Sequence, residues 1–187
     1  MNKIFFTSDN HFGHKNILKF SNRPFDSVQE MDEYMIQKWN EKVGENDEVY
    51  HLGDVGFYSS GKMRKILERL NGKIYLIKGN HEKSAEACHT RFEWIKDYHE
   101  LVVKDDEFER GEQLVILFHY AMKEWNCSHW GSYHLYGHSH GTLQEDETSL
   151  SFDIGVDCHG FAPLSYEEVK QIMKQKNWKP PFENTNR

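Results

Sequence analysis

Five times along this chain a short apolar run breaks off and an aspartate, asparagine or histidine follows at once. Ile4-Phe5-Phe6-Thr7 leads into Ser8-Asp9-Asn10-His11, Val49-Tyr50-His51-Leu52 into Gly53-Asp54, and Ile74-Tyr75-Leu76-Ile77 into Lys78-Gly79-Asn80-His81. Further on, Leu114-Val115-Ile116-Leu117-Phe118 stops at His119, and Tyr133-His134-Leu135-Tyr136 stops at Gly137-His138-Ser139-His140. Runs of this length and composition are expected to be buried strands. In open α/β sheets, ligand sites gather at the C-terminal ends of strands. The five loops are therefore expected to share one rim.

The segments between the runs read as helices. Ser27-Val28-Gln29-Glu30 has the form of a capping box, followed by Val28, Met31, Met35, Trp39 and Val43 on one helical face. Met63, Ile66, Leu67 and Leu70 make a second amphipathic face, stopped by Asn71-Gly72. Ser165-Tyr166-Glu167-Glu168 opens a last helix through Val169, Ile172 and Met173, after a late strand around Phe152–Val156. The order β-α-β-α-β, then mainly β, predicts an α/β protein with layered sheets. Residues 1–178 are expected to form one domain and 179–187 a C-terminal tail.

The candidate donors are Asp9, His11, Asp54, Asn80, His81, His119, His138 and His140. They offer carboxylate, amide and imidazole groups and no thiolate, a set suited to Mn, Fe, Zn, Co or Ni rather than Ca. In a strand-like segment, residues i and i+2 point the same way. Asp9 with His11, and His138 with His140, are thus each expected to converge on one small volume. Gly53, Gly79 and Gly137 precede donors, where a missing side chain lets the backbone turn sharply or come close to a ligand.

Bulk properties narrow the partners. The 187 residues include 12 histidines, and the formal net charge is −7. That charge argues against a broad basic surface for extended nucleic acid. The three cysteines form no CxxC pair, which argues against a zinc finger or a disulfide framework and fits a reducing cytoplasm. No leader-type apolar segment is expected at the N-terminus, and no run approaches the ~20 residues of a membrane span.

The series Asp9-x-His11, Gly53-Asp54, Gly79-Asn80-His81-Glu82, His119 and Gly137-His138-Ser139-His140, in that order, resembles the calcineurin-like metallophosphoesterases. The resemblance runs from the first strand to about Asp157. It implies a layered sandwich of two mixed β-sheets flanked by helices. It also implies two divalent ions, manganese first among the candidates. One would be held by Asp9, His11 and His140, the other by Asn80, His119 and His138, with Asp54 bridging. A hydroxide between the metals would attack phosphorus, and His81 would assist the leaving group. The substrate would be a small phosphoester or nucleotide, with phosphodiesters favoured. Glu82 stands where the family often has Asp, Val55-Gly56-Phe57 follows the Gly-Asp, and Phe118 precedes His119. If the residue after Asn80-His81 orients His81, the longer Glu82 orients it differently.

His14, Arg23 and His51 are candidate substrate contacts: His14 lies three residues past His11, and Arg23 has the fork that grips a phosphate bidentately. The simpler readings are a strand position for His51 and a solvated loop for Arg23. Trp125, His129 and Trp130 read as packing under a loop rather than as a base-stacking pocket. Asp105-Asp106-Glu107 with Glu109 reads as a solvated turn. Two other function classes fit the same motifs. A non-catalytic metal-binding scaffold would have lost His81 or the bridging carboxylate. A nuclease on single-stranded nucleic acid would want a basic track beside the site.

Overall fold

A computed structural model describes residues 2–180. Its strands are β1 (Ile4–Thr7), β2 (Glu48–His51), β3 (Lys73–Ile77), β4 (Phe92–Lys96), β5 (Tyr98–Lys104), β6 (Glu112–Phe118), β7 (Tyr133–Tyr136), β8 (Ser151–Asp153) and β9 (Leu164–Ser165). Its helices are α1 (Ile17–Phe20), α2 (Val28–Lys42), α3 (Ser60–Leu67), α4 (Lys83–Glu86) and α5 (Tyr166–Gln175). The expected tail over 179–187 lies, from residue 181 on, outside the described residues.

Two mixed sheets result. One has the order β4-β3-β2-β1-β9, the other β5-β6-β7-β8. In the first, β1 to β4 are parallel and β9 is antiparallel. In the second, β5 is antiparallel and β6, β7 and β8 run parallel. Because β1 to β4 follow one another in a single direction across the sheet, right-handed crossovers put α2, α3 and α4 on one face. The other face is left to pack on the second sheet.

The residues divide accordingly. Phe5, Val49, Ile74 and Leu76 bury against Met31, Met35 and Trp39 of α2 and Met63, Ile66 and Leu67 of α3. Phe6, Tyr50 and Ile77 face Val115, Leu117, Leu135 and Phe152 of the second sheet, with Val169 and Met173 of α5 in the same cluster. Strands covered on both sides read as continuous apolar runs, which is why β1 to β3 show no alternation. Phe6, Tyr50 and Tyr75 are register partners on adjacent strands, with ring centroids 5.8 and 4.7 Å apart.

The caps refine the sequence reading. Ser165 and Glu168 make the full reciprocal box at α5. At α2, Ser27 accepts from the Glu30 N–H as expected, but the Glu30 carboxylate accepts from the Asp26 N–H instead of from Ser27. In the acidic run after β5, Asp106, Glu107 and Glu109 are exposed as a solvated turn would be, but the Asp105 side chain is buried. Asp105 and Glu107 hold the buried Lys170 ammonium at 2.9 and 3.1 Å, and Tyr166 donates to Asp105 at 2.8 Å. These bonds tie α5 to the β5–β6 connection.

The loop after His119 covers the outer side of the second sheet. The Trp125 ring lies 5.2 Å from that of His134, and its N–H donates to Ser132. Trp125 thus packs under the loop, whereas Trp130 is 69% exposed. His134 is fully buried, accepting from the Met122 N–H at 3.1 Å and facing the Ile116 carbonyl at 3.2 Å. That pairing fixes the neutral imidazole, and burial drags its pKa down to about 4.

Between the ordinary histidine value of about 6.5 and pH 4, the unfolded chain therefore binds a proton that the native chain refuses. Stability falls as pH drops through that window, by about 2 kcal/mol at pH 5 from this residue. Urea unfolding at pH 7 and pH 5 checks it: His134→Gln should shrink the difference between the two pH values by about that amount. An unchanged difference contradicts the assignment.

Candidate metal centre

Parallel strands bring their C-terminal ends to one edge, and the donors stand there. Asp9 follows β1, Asp54 follows β2, Asn80 follows β3, His119 follows β6, and His138 and His140 follow β7. The two sheets are stitched at this edge by a parallel bridge between Ser8 and Gly155, and the Val156 N–H donates to the Ser8 carbonyl at 3.1 Å.

Two clusters form. The first is Asp9, His11 and His140, the second Asp54, His119 and His138, with donor atoms in each within 4.8 Å of one another. Asp54 lies between them. Its Oδ2 is 3.5 Å from His11 Nε2 and its Oδ1 is 3.8 Å from His119 Nε2. Asn80 Oδ1 lies 3.2 Å from His119 Nε2, beside the second cluster. A cavity of about 370 Å³ opens over both, lined among others by His11, Asp54, Asn80, His81, His138 and His140.

The local backbone that converges these groups is not the strand-like one expected from sequence. Asp9, His11, Asp54, His138 and His140 have φ of 58°, 53°, 57°, 68° and 48°. Side chains rarely tolerate that left-handed region, and residues held in it cluster at functional sites. Tight turns, not i/i+2 alternation, bring Asp9 and His11 together. The same geometry sends His138 and His140 to different clusters rather than to one.

Three of the donors are aimed by partners. Ser8 Oγ and the His138 N–H donate to Asp9 Oδ2 at 2.6 and 2.8 Å, so Oδ1 is the free oxygen. His119 Nδ1 donates to the Leu52 carbonyl at 2.6 Å, which leaves Nε2 to the cluster. His140 Nδ1 pairs with Asp157 Oδ2 at 2.6 Å. Such outer partners set the tautomer and ring orientation of metal-type histidines. Burial alone would raise Asp9, yet the His11 imidazole beside it, 3.7 Å away, and the fields of His119 and His140 hold it at about 2. It is an anion at any working pH.

Two atoms in the first cluster, Asp9 Oδ1 and His11 Nε2, are buried without a hydrogen-bond partner. An unpaired buried polar atom costs free energy. A cation at that point would satisfy both, so the residues fit a metal.

Glycines make the close approaches possible. Gly53 has φ +101°, and a Cβ there would lie 2.7 Å from His119 Nδ1. A Cβ on Gly137 would overlap Ser8 Oγ and Asp9 Oδ2. Gly137→Ala should therefore destabilise the fold by about 3 kcal/mol, as overpacking of a close-packed site does, and weaken cation binding. Denaturant unfolding beside a Mn²⁺ titration reads both, and near-native values in each would refute the steric account.

Three expected substrate contacts fare differently. His14 lines the cavity, with its ring stacked 4.0 Å from Phe57 and its Nδ1 3.2 Å from His11 Nδ1. Arg23 does not reach the cavity. It is buried, gripping Asp157 through Nε and Nη2 at 2.8 Å each and donating to the Asp9 and Asn10 carbonyls at 2.7 and 2.8 Å. Its fork is thus filled by a carboxylate and two carbonyls, not by phosphate. His51 is also buried: its Nδ1 accepts from the Gly53 N–H at 3.1 Å and its Nε2 meets Asn10 Oδ1 at 2.9 Å. Burial lowers its pKa to about 3, so it is a neutral strut under the first two loops.

Glu82 does not orient His81. It is buried, and its Oε1 accepts from the N–H groups of Asp54, Val55 and Gly79. The longer side chain reaches across to set the Asp54 loop. Burial, then the Asp54 charge, lifts its pKa to about 7. His81 is exposed on the cavity wall, and its own N–H donates to Asp54 Oδ1 at 2.9 Å.

Sequence reasoning missed Asp153 and Asp157. Asp153 accepts from Ser139 Oγ, Gly141 N–H and Gly155 N–H at 2.6, 3.0 and 2.7 Å, pinning the His138–His140 turn. Asp157 joins Arg23 to His140. A charged residue inside the apolar run Phe152-Asp153-Ile154-Gly155-Val156 was the available signal.

The model of the calcineurin-like phosphoesterases matches residues 2–118. This chain belongs to that family. The matched segment carries Asp9, His11, Asp54, Asn80 and His81, while His119, His138 and His140 reach the same site through the fold. Family members are metal-dependent, in keeping with the two donor clusters. An uncharacterized protein of Methanocaldococcus jannaschii is 48% identical over 88 residues, 46% of this chain and 50% of that protein. The chain thus spans about half the length of that relative. The Gene 66 protein of Mycobacterium phage D29 is 26% identical over 200 aligned positions, covering 92% of this chain and 96% of the phage protein. The crystal structure of a protein of unknown function from Aquifex aeolicus shares the fold, with a TM-score of 0.69 at 20% identity over 92% of this chain and all of the other. Among the described residues no helix is long and apolar enough to cross a membrane.

Proposed function

We propose that the chain is a metal-dependent phosphoesterase working through two divalent ions, with phosphodiesters as the favoured substrates. Asp9, His11 and His140 would hold one ion and Asn80, His119 and His138 the other, with Asp54 between the two sets. The observation that carries this reading is the pair of donor clusters with Asp54 of the second lying 3.5 Å from His11 of the first, and with Asp9 Oδ1 and His11 Nε2 buried and unpaired.

Two such ions supply Lewis acidity toward phosphate oxygens and a hydroxide nucleophile near neutral pH. The chain supplies the rest. Arg23 and Asp157 fix the His140 ring, the Leu52 carbonyl fixes His119, and Glu82 fixes the Asp54 loop through its amides. His81 stands on the cavity wall beside Asp54. When protonated, it gives its proton to the leaving oxygen as the P–O bond breaks. Nitrogen and oxygen donors without thiolate suit Mn, Fe, Zn, Co or Ni, and manganese is placed first on the family resemblance. No Lys or Arg is among the residues lining the cavity, and Arg23 is spent on Asp157. A dianionic monoester would want one more cation than the wall offers, so the diester monoanion is the better match.

Hydrolysis of bis-p-nitrophenyl phosphate by metal-stripped protein, with and without Mn²⁺, tests the reading. Turnover that appears only with metal is expected. No turnover with Mn²⁺, Ni²⁺, Co²⁺ or Zn²⁺, despite tight binding of the ions, would favour a non-catalytic scaffold.

A further inference from the structure

The cavity does not end at the donors. On one side its wall continues through Ile17, Phe20 and Ser21 of the α1 segment, and on the other through Ser139 and Thr142. Phe20 is 75% exposed, the highest value among the large hydrophobic side chains of the described residues. Its ring meets that of His14 at 6.2 Å with the two planes 74° apart, and at this exposure most of the ring stays open to a ligand. Phe57 is different: it is already covered by His14 at 4.0 Å and flanked by His81 at 4.9 Å.

A single exposed apolar residue on a surface means little. Phe20, however, forms part of the wall of the cavity that holds both clusters, and its position is fixed. Arg23 N–H donates to the Leu18 carbonyl at 2.9 Å, while its guanidinium bonds the Asp9 and Asn10 carbonyls. The short helix is thereby tied to the backbone of the first cluster. An exposed planar ring on the wall of the cavity that holds the donor clusters matches a ligand that joins a phosphate to a flat aromatic group.

Resting on the phosphoesterase reading, we infer that Phe20 is a stacking platform for a nucleobase, so that the substrate class is a small nucleoside phosphodiester. Base–aromatic stacking works with every base because each has a π-face. The −7 net charge and the absence of Lys and Arg from the cavity wall limit the partner to nucleotide size rather than a polynucleotide. A cavity of about 370 Å³ is within the range used for small ligands.

Calorimetric binding to Mn²⁺-loaded protein, with adenosine 5′-monophosphate and ribose 5-phosphate as probes, separates base from phosphate. The nucleotide is expected to bind about tenfold tighter. Phe20→Ala should bring the ratio close to one without shifting ribose 5-phosphate, and Phe20→Trp should keep or widen it. Equal affinities in the native protein, or a ratio that survives Phe20→Ala, would overturn the platform while leaving the phosphoesterase reading intact. Binding of neither monoester would also overturn the platform, while the phosphodiesterase reading stands or falls separately on hydrolysis of bis-p-nitrophenyl phosphate.

Discussion

Asp54→Asn is expected to lower kcat/KM by roughly a thousandfold or more, the scale seen when a preorganised electrostatic group is removed from an active site. The change is one atom in size, and the fold has no steric reason to respond. Its effect comes from charge and geometry. Asp54 alone stands between the clusters, 3.5 Å from His11 Nε2 through one oxygen and 3.8 Å from His119 Nε2 through the other. An amide keeps one oxygen and turns the other corner into a donor, which repels a cation. The variant should bind fewer than two Mn²⁺ per chain, measurable by metal analysis after dialysis, while its unfolding midpoint in the presence of chelator stays near that of the native chain. Full activity with two bound ions would remove Asp54 from its bridging role.

His81→Ala should behave in the opposite way toward metal. His81 sits on the cavity wall and is held through its backbone N–H, so truncating the imidazole leaves the Asp54 contact in place. Both ions are expected to remain. Turnover should drop by about a thousandfold, within the usual range for general acid–base groups. The size of the drop should depend on the leaving group. p-Nitrophenolate departs as a stable anion and needs little proton assistance, whereas an alkoxide needs it fully. The loss should therefore be smaller with bis-p-nitrophenyl phosphate than with a dialkyl phosphate or a dinucleotide. Equal losses across leaving groups would make His81 a phosphate-binding group, and loss of metal would make it a ligand.

Much of this architecture could be read from the chain before any coordinates. The runs at β1, β2, β3, β6 and β7 are apolar because the sheet is buried on both faces, and each stops where a donor begins. Ser27 and Ser165 announce their helices because capping is local. What could not be read depends on contacts far apart in sequence. Arg23 looks like a phosphate fork until Asp157, 134 residues later, fills it. His51 looks available until the Gly53 N–H and Asn10 take both of its nitrogens. Glu82 looks like a partner of the neighbouring His81, but its carboxylate bonds the amides of the Asp54 loop, 28 residues back. The i/i+2 argument sends His138 and His140 to one volume, but they stand in different clusters, because positive φ at both replaces the strand-like path that the argument assumes. β4, Phe92-Glu93-Trp94-Ile95-Lys96, carries two charges and forms no apolar run, and the four-residue helices α1 and α4 carry too little periodicity to be seen. The acidic residues after β5 have no visible partner until α5 folds back with Lys170.

The most direct test of the two-ion account is a titration of metal-free protein with Mn²⁺ while phosphodiester hydrolysis is followed. Activity should stay near zero without metal and reach its plateau at two equivalents per chain. A plateau at one equivalent, or turnover that persists in excess chelator, would contradict it.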